Sequence, residues 1–340
     1  MYELPVDSLL NWDLLEISAP PPDELRVHEI EDIEIASGRI LIGLDTFRHR
    51  HLLMPVDRVA TIVEDKRSSG VQIIAHPLLD GSALRPFVDL VCLKPHLQEL
   101  FSVIVNEVLE SLRSDSSRPD LTSRRVLDRW RELLEREIPA NMGMEKLVGL
   151  FGELCQLREM VRNDPGSVKY WVGPAGTRHD LSNGTLAIEV KATLSRQGRF
   201  FEIHGHEQLE PPESGYLYLV ALKLEQGMSA GESIQDLVES IVSLGGDRYT
   251  LLTQLGQVGM GPEGLSITKD TRFRILECRV YEVKEGFPRI TSESFVSSTL
   301  PAGVLKLAYQ IDLSGEPPYP LDEISVMRLY KAIASGGNSI

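Results

Sequence analysis

The sequence predicts a mixed α/β fold, and three observations predict it. Short apolar or alternating runs cut by turn residues fill residues 1–93. An amphipathic helical pattern opens at residue 144, and closely spaced strand-like runs follow it. Helical patterns then return beyond residue 230, interleaved with two long strands. Helices mixed with short sheets belong to the α/β or α+β class. The 340 residues suffice for one large or two to three ordinary domains. They divide by pattern into a β-rich N-terminal domain (1–139) ending in two helices, a core (140–229), and an α+β C-terminal region (230–340) packing on that core.

In chain order, "GRILIGLD", "HLLMPV", "RVATIV", "GVQIIAH" and "PFVDLVCL" read as strands. "LQELFSVIVNEVLESLR" (97–113) has helical spacing, and "SDSSRPDLTS" is a polar break. "SRRVLDRWRELLERE" (123–137) reads as a second helix ending at Ile138-Pro139. In "MEKLVGLFGELCQLREMVR", Leu147, Leu150, Leu154, Leu157 and Val161 share one stripe. "VKYWVG", "TRHDLS", "TLAIEVKAT", "RFFEIHG" and "GYLYLVALKL" follow as strands. Helices near 232–244, 246–256 and 322–334 and strands near 271–284 and 303–313 complete the chain.

Composition narrows the class. The hydrophobic fraction of 42% and charged fraction of 25% are those of a soluble globular protein. Cys92, Cys155 and Cys278 are odd in number and lack CxxC spacing, which argues against a disulfide framework or zinc finger and for a reducing compartment. "MYELPVDSLLNWDLL" lacks a basic segment followed by an apolar run, and no apolar stretch approaches the roughly 18 residues of a membrane span. A cytoplasmic location without a membrane partner is the expectation. The net charge of −15 disfavours tight non-specific binding of nucleic acid. It is uneven, however: residues 1–140 hold 25 acids against 16 bases, and residues 141–229 hold 11 against 9.

The near-neutral stretch contains "RHDLSNGTLAIEVKAT" (178–193). Ser182-Asn183-Gly184-Thr185 is a type I′ hairpin signal, because Asn-Gly accepts positive φ at both central positions. A two-residue loop then sets Ser182 opposite Thr185 and Asp180 opposite Ala187. Alternation puts Leu186, Ile188 and Val190 on a core face, and Ala187, Glu189 and Lys191 on the other. Asp180 and Glu189 become diagonal neighbours, roughly 7–8 Å apart, with Lys191 about 6.6 Å further along. Two carboxylates so placed repel unless a cation lies between them, and hard oxygen donors suit Mg²⁺. Such a cation with an adjacent ammonium suits phosphodiester hydrolysis. Glu153 sits about 80° from the centre of the apolar stripe, at ~100° per residue, and can look toward the same sheet.

Helix Glu153, then Asp180, then Glu189-Val190-Lys191 resembles the PD-(D/E)xK nuclease superfamily, in the order helix, strand, strand. "HGHEQLEPPESGYLYLVALKL" resembles the next element of that family, where a polar residue, here Gln208, assists the site. The layout looks like the bacterial PD-(D/E)xK motif proteins of restriction-like and phage-defence gene clusters. His179 stands where the motif has proline. The resemblance implies a restriction-endonuclease-like core (αβββαβ) and a Mg²⁺-dependent nuclease in which Mn²⁺ can substitute. Asp180, Glu189 and Glu153 are the implied metal ligands, Lys191 assists the attacking water, and Gln208 supports the site. The implied substrate is nucleic acid, with DNA expected, and partner subunits or a homodimer are compatible with it.

Other features weigh less. Glu64-Asp65-Lys66 after Asp57, and Glu282-Val283-Lys284 after Asp270, have no reversal between the acids, which stand roughly 20 and 40 Å apart along a strand. Arg178, Arg196 and Arg199 flank the motif strands as candidate phosphate contacts, and Arg178 faces Glu189 in the expected register. His204 is a candidate for the substrate side, and His204-x-His206 lacks a third ligand at zinc spacing. The acidic balance of residues 1–140 also fits a second reading, an inactive nuclease-fold adaptor that recruits partner proteins.

Overall fold

The chain divides into two units, residues 1–137 and 138–340. The computed structural model describes residues 10, 12–16, 20, 24–58, 62–80, 83–135, 142–227, 230–296 and 300–338.

The first unit is a five-stranded antiparallel sheet with helices. After the short helix α1 (Trp12–Glu16) come β1 (Arg26–Ile35), β2 (Gly38–Leu44), β3 (Arg50–Pro55), β4 (Val71–Asp80) and β5 (Ala83–Cys92). Their order in the sheet is β1-β2-β3-β5-β4. Helices α2 (Gln98–Ser114) and α3 (Pro119–Glu135) follow. Leu100, Phe101, Ile104, Val105, Val108 and Leu112 recur at helical spacing in α2, and all are buried. Helix α3 starts four residues earlier than the pattern suggested. Pro119 opens it, where a missing N–H costs no hydrogen bond, and Asp120 adds an acid to the first turn. Strand β1 escaped sequence reading, because "RVHEIEDIEI" is rich in acids and its pairing with β2 is broken by a bulge between Glu29 and Glu34. Of the run "RVATIV", residues 59–61 lie outside the described residues, and Arg58, Ile62 and Val63 are not in a strand.

The second unit holds α4 (Met144–Asn163), β6 (Leu181–Ser182), β7 (Leu186–Thr193), β8 (Phe200–His204), β9 (Tyr216–Gly227), α5 (Ile234–Ser243), α6 (Arg248–Gln257), α7 (Pro262–Thr268), β10 (Arg272–Glu282), β11 (Ala308–Asp312) and α8 (Glu323–Ala334). Four strands make a mixed sheet in the order β10-β9-β7-β6, with β7 parallel to β9 and the other pairs antiparallel. Strands β8 and β11 pair separately. Helix α4 packs against β7, α5 and α8. Its burial therefore spreads beyond the apolar stripe to Phe151, Gly152, Cys155, Gln156 and Met160. At Gly152 the approach is close: a Cβ there would stand 3.1–3.3 Å from Leu222, Val190 and Ala192. The opposite face of the sheet, with Ala187, Leu217 and Leu219, forms a core with Ile203, Leu209 and Ile311.

One strand expectation fails here and a second holds only at its end. In "VKYWVG", Val168, Lys169 and Tyr170 end a 3-10 helix, Pro165–Tyr170, and Trp171 makes an isolated bridge to Leu181. The helix forms because the Asp164 carboxylate accepts from Gly166 N at 2.8 Å and Pro165 takes the first helical position. "TRHDLS" pairs as a strand at Leu181–Ser182. The turn is shifted as well: Leu181 pairs with Ile188 and Ser182 with Ala187. Positive φ falls on Gly184 (98°), and Asn183 is not among the positive-φ residues, so glycine occupies the first central position of a II′-like reversal. Asn183 instead spends its side chain on the backbone. Its Oδ1 accepts from Thr185 N and Leu186 N at 3.1 and 2.9 Å, and its Nδ2 donates to Gly337 O at 2.8 Å.

Candidate active site

The shifted turn decides how the acids meet. Continuing the observed register sets Asp180 level with Glu189 rather than diagonal to it, and Arg178 is no longer opposite Glu189. Asp180 is fixed from two sides. Its backbone carbonyl accepts from Val172 N and Gly173 N, both at 2.9 Å, and its Oδ2 accepts from Val190 N at 2.7 Å. Gly173 matters through its missing side chain: a Cβ would stand 3.1 Å from Asp180 Cα and 3.2 Å from Oδ1. We expect Gly173→Ala to displace this carboxylate and weaken the affinity for an activating cation by ~10-fold. The cation dependence of cleavage measures it, and an unchanged midpoint would remove Gly173 from the site.

Glu189 lies in the middle of β7 and is 1% exposed. Its Oε1 accepts from Lys191 Nζ at 2.9 Å, two residues along the same face. Its Oε2 is buried with no hydrogen-bond partner. Lys191 Nζ also donates to Gln208 Oε1 at 2.9 Å, and that oxygen accepts from His204 N at 2.8 Å. Glu153 reaches in from α4 and accepts from Trp171 Nε1 at 2.8 Å. Trp171 was invisible as a site residue in the sequence, where it read as part of a strand. Together Glu153, Asp180, Glu189, Lys191, Gln208 and His204 line one cavity of about 530 Å³.

Electrostatics mark the same place. Burial and the Asp180 charge push the Glu153 carboxyl up to about 8. Burial pushes Asp180 up to about 6, against the hydrogen bond from Val190 N and the nearby Lys191. Burial and the Asp180 charge hold Glu189 well above its ordinary range. Three carboxylates thus resist ionising together, as acids do when crowded out of water.

A family model described as "Putative PD-(D/E)XK family member" matches residues 10–314. The chain belongs to the DUF4420 family. Comparison with curated proteins and with solved structures gave no match. PD-(D/E)xK nucleases generally use divalent metals, and the residues of this DUF4420 chain fit one. Their donors are hard carboxylate oxygens, and one of these, Glu189 Oε2, is buried without a partner.

In the DUF4420 chain the remaining candidates are dispersed. Arg196 pairs with Glu225 at 3.2 Å, and Arg199 pairs with both oxygens of Glu277 at 2.8 and 2.9 Å. Neither lines the carboxylate cavity. Arg178 lines a second cavity of about 490 Å³, which shares His204 and Gln208 with the first and adds His206 and Lys306. His206 packs edge-on to Phe295. The metal-capable neighbours of His204 are instead Glu145 and Glu202, all three exposed. Strand alternation in "FFEIH" could have joined Glu202 to His204, since exposure follows it residue by residue. In the two decoy motifs the lysine pairs with its own glutamate, Lys66 with Glu64 and Lys284 with Glu282. Among the described residues, no helix is long and apolar enough to cross a membrane.

Proposed function

We propose that this chain is a Mg²⁺-dependent nuclease, with Mn²⁺ as a substitute, hydrolysing phosphodiesters of DNA in a restriction-like or phage-defence setting. The observation that carries the reading is the convergence of three buried-to-half-buried acids and Lys191 on one cavity, with Glu189 Oε2 left unpartnered. We read α4, β6, β7, β9, α5 and β10 as the αβββαβ path, with β8 as an excursion to a separate ribbon.

Asp180, Glu189 and Glu153 hold the cation in this reading. When bound, it would supply Lewis-acid polarisation of a phosphate oxygen and of water. The chain's own groups do the rest. Glu189 and Gln208 hold the Lys191 ammonium where it can orient the attacking water and face the charge that grows on phosphorus. Water gives up a proton to solvent as it forms a new P–O bond, the bond to the leaving sugar oxygen breaks, and that oxygen takes a proton from solvent. Gln208 ties Lys191 to the end of β8 through His204 N. Arg178 and Lys306, in the adjoining cavity, are placed to take flanking phosphates. Trp171 and Gly173 are positioning residues for Glu153 and Asp180.

Incubation with supercoiled plasmid tests the proposal. Cleavage with Mg²⁺ or Mn²⁺, stopped by EDTA and lost in Glu189→Gln, is the expected result. Cleavage by Glu189→Gln at the wild-type rate would remove the site from the reaction. An absent thermal shift with any divalent cation would favour the adaptor reading instead.

A further inference from the structure

The first unit holds another group of metal-ligand side chains, unrelated to the carboxylate–lysine cavity. Strand β5 runs between β3 and β4. On it Asp89 pairs with Leu53 of β3 and Ile74 of β4. His51 lies two residues before Leu53, and His76 two after Ile74. Side chains two apart share a face, so all three project from the same side of the sheet. His51 Nδ1 stands 2.9 and 3.1 Å from the oxygens of Asp89, and His76 Nδ1 stands 2.7 Å from Oδ2. One ligand atom from each lies within 4.8 Å of the others.

Hydrogen bonding alone leaves this trio incomplete. For both rings to donate to Asp89, both must carry the proton on Nδ1. His51 is 5% exposed, and its Nε2 is buried without a hydrogen-bond partner. Asp45 Oδ2 stands 3.7 Å from that nitrogen, beyond hydrogen-bond length. Yet a neutral Nδ1–H ring leaves Nε2 as a bare acceptor facing a carboxylate, and a charged ring leaves its second N–H unbonded.

We propose that His51, His76 and Asp89 form a His₂Asp site for a divalent transition metal of the zinc class. Two imidazoles and a carboxylate match zinc and its first-row neighbours better than magnesium. Ligation through Nδ1 moves the His51 proton to Nε2 and turns it into a donor toward Asp45. Metal-bound histidines commonly hold such a carboxylate with the other ring nitrogen. Asp45 is itself fixed, accepting from Phe47 N at 2.9 Å, His49 N at 2.7 Å and His49 Nδ1 at 2.8 Å. Tetrahedral ligands at ~2.1 Å stand about 3.4 Å apart, so each histidine nitrogen needs to draw back from Asp89 by roughly half an ångström. The His76 side chain is 30% exposed, which gives the ion access and leaves room for a water as fourth ligand.

Co²⁺ titration of the chelator-stripped full chain tests this site by its visible absorption. An Asp180→Asn/Glu189→Gln double variant removes the other carboxylate site from the measurement. We expect an intense visible band that saturates at one equivalent of Co²⁺ and is displaced by Zn²⁺, in wild type and double variant alike. His76→Gln and Asp89→Asn should each weaken it at least ~10-fold with unchanged far-UV circular dichroism. Loss of the band from the double variant overturns the proposal whatever the histidine variants do. So does wild-type affinity in folded His76→Gln and Asp89→Asn. Neither outcome bears on whether the chain cleaves DNA.

Discussion

Lys191→Ala is expected to slow single-turnover plasmid cleavage by ~10²–10³, the cost of removing one preorganised donor from a charge-stabilising site. The ammonium is held at both ends of its reach, 2.9 Å from Glu189 Oε1 and 2.9 Å from Gln208 Oε1, and little of it is exposed. Its position therefore needs no reorganisation when charge develops on the phosphate. If DNA is the substrate, its affinity should change little, because backbone charge contributes over many phosphates and Lys191 supplies one cation. Gln208→Ala should lose less, since it frees Lys191 without deleting it. Equal rates for wild type and Lys191→Ala, at saturating Mg²⁺, would defeat the role assigned to the ammonium.

Asp180→Asn should stabilise the metal-free protein at high pH. Asp180 ordinarily titrates near 3.8, and burial holds it up to about 6 in the folded chain. The folded form then keeps a proton that the unfolded form releases. That stability is fully present below about pH 4, is lost as pH rises toward 6, and stays lost above it. Two pKa units correspond to about 3 kcal/mol. At 2–4 °C per kcal/mol for a unit of this size, the variant should melt ~6–12 °C above wild type in EDTA at pH 8. The gap should narrow toward pH 4, where neither chain carries the charge. Mg²⁺ should reverse the ranking at pH 8 by stabilising the wild type alone. Melting scans at the two pH values, with and without Mg²⁺, provide the check. A gap that does not depend on pH would mean that Asp180 is already ionised without cost.

Parts of this site were readable in one dimension. Glu189 and Lys191 share a face because strands alternate, and β7 runs without a bulge over 186–193. The Asn183-Gly184 pair announced a reversal, and the reversal brought Asp180 to Glu189. The register was less legible. A turn signal names the residues of a loop, but which of them takes positive φ depended on Asn183 bonding to the backbone at Thr185, Leu186 and Gly337. Trp171 could not be found at all, since its contact with Glu153 joins an isolated bridge residue, just past a 3-10 helix, to a helix residue 18 positions away. Arg196 and Arg199 read as candidate phosphate contacts in the sequence and are engaged by Glu225 and Glu277, both distant in the chain.

By itself, the sequence determined the class of the fold, the helices from 98 onward except Pro262–Thr268, and the spacing of Glu189, Lys191 and Asp180 around one reversal. These follow from periodicity and turn chemistry, which act over a few residues. Tertiary structure alone decided the register of the hairpin, the company of Glu153, the engagement of the flanking arginines, and the assembly of His51, His76 and Asp89 from three strands. Those depend on which distant segments pack together, and burial sets their charges, so no local pattern records them.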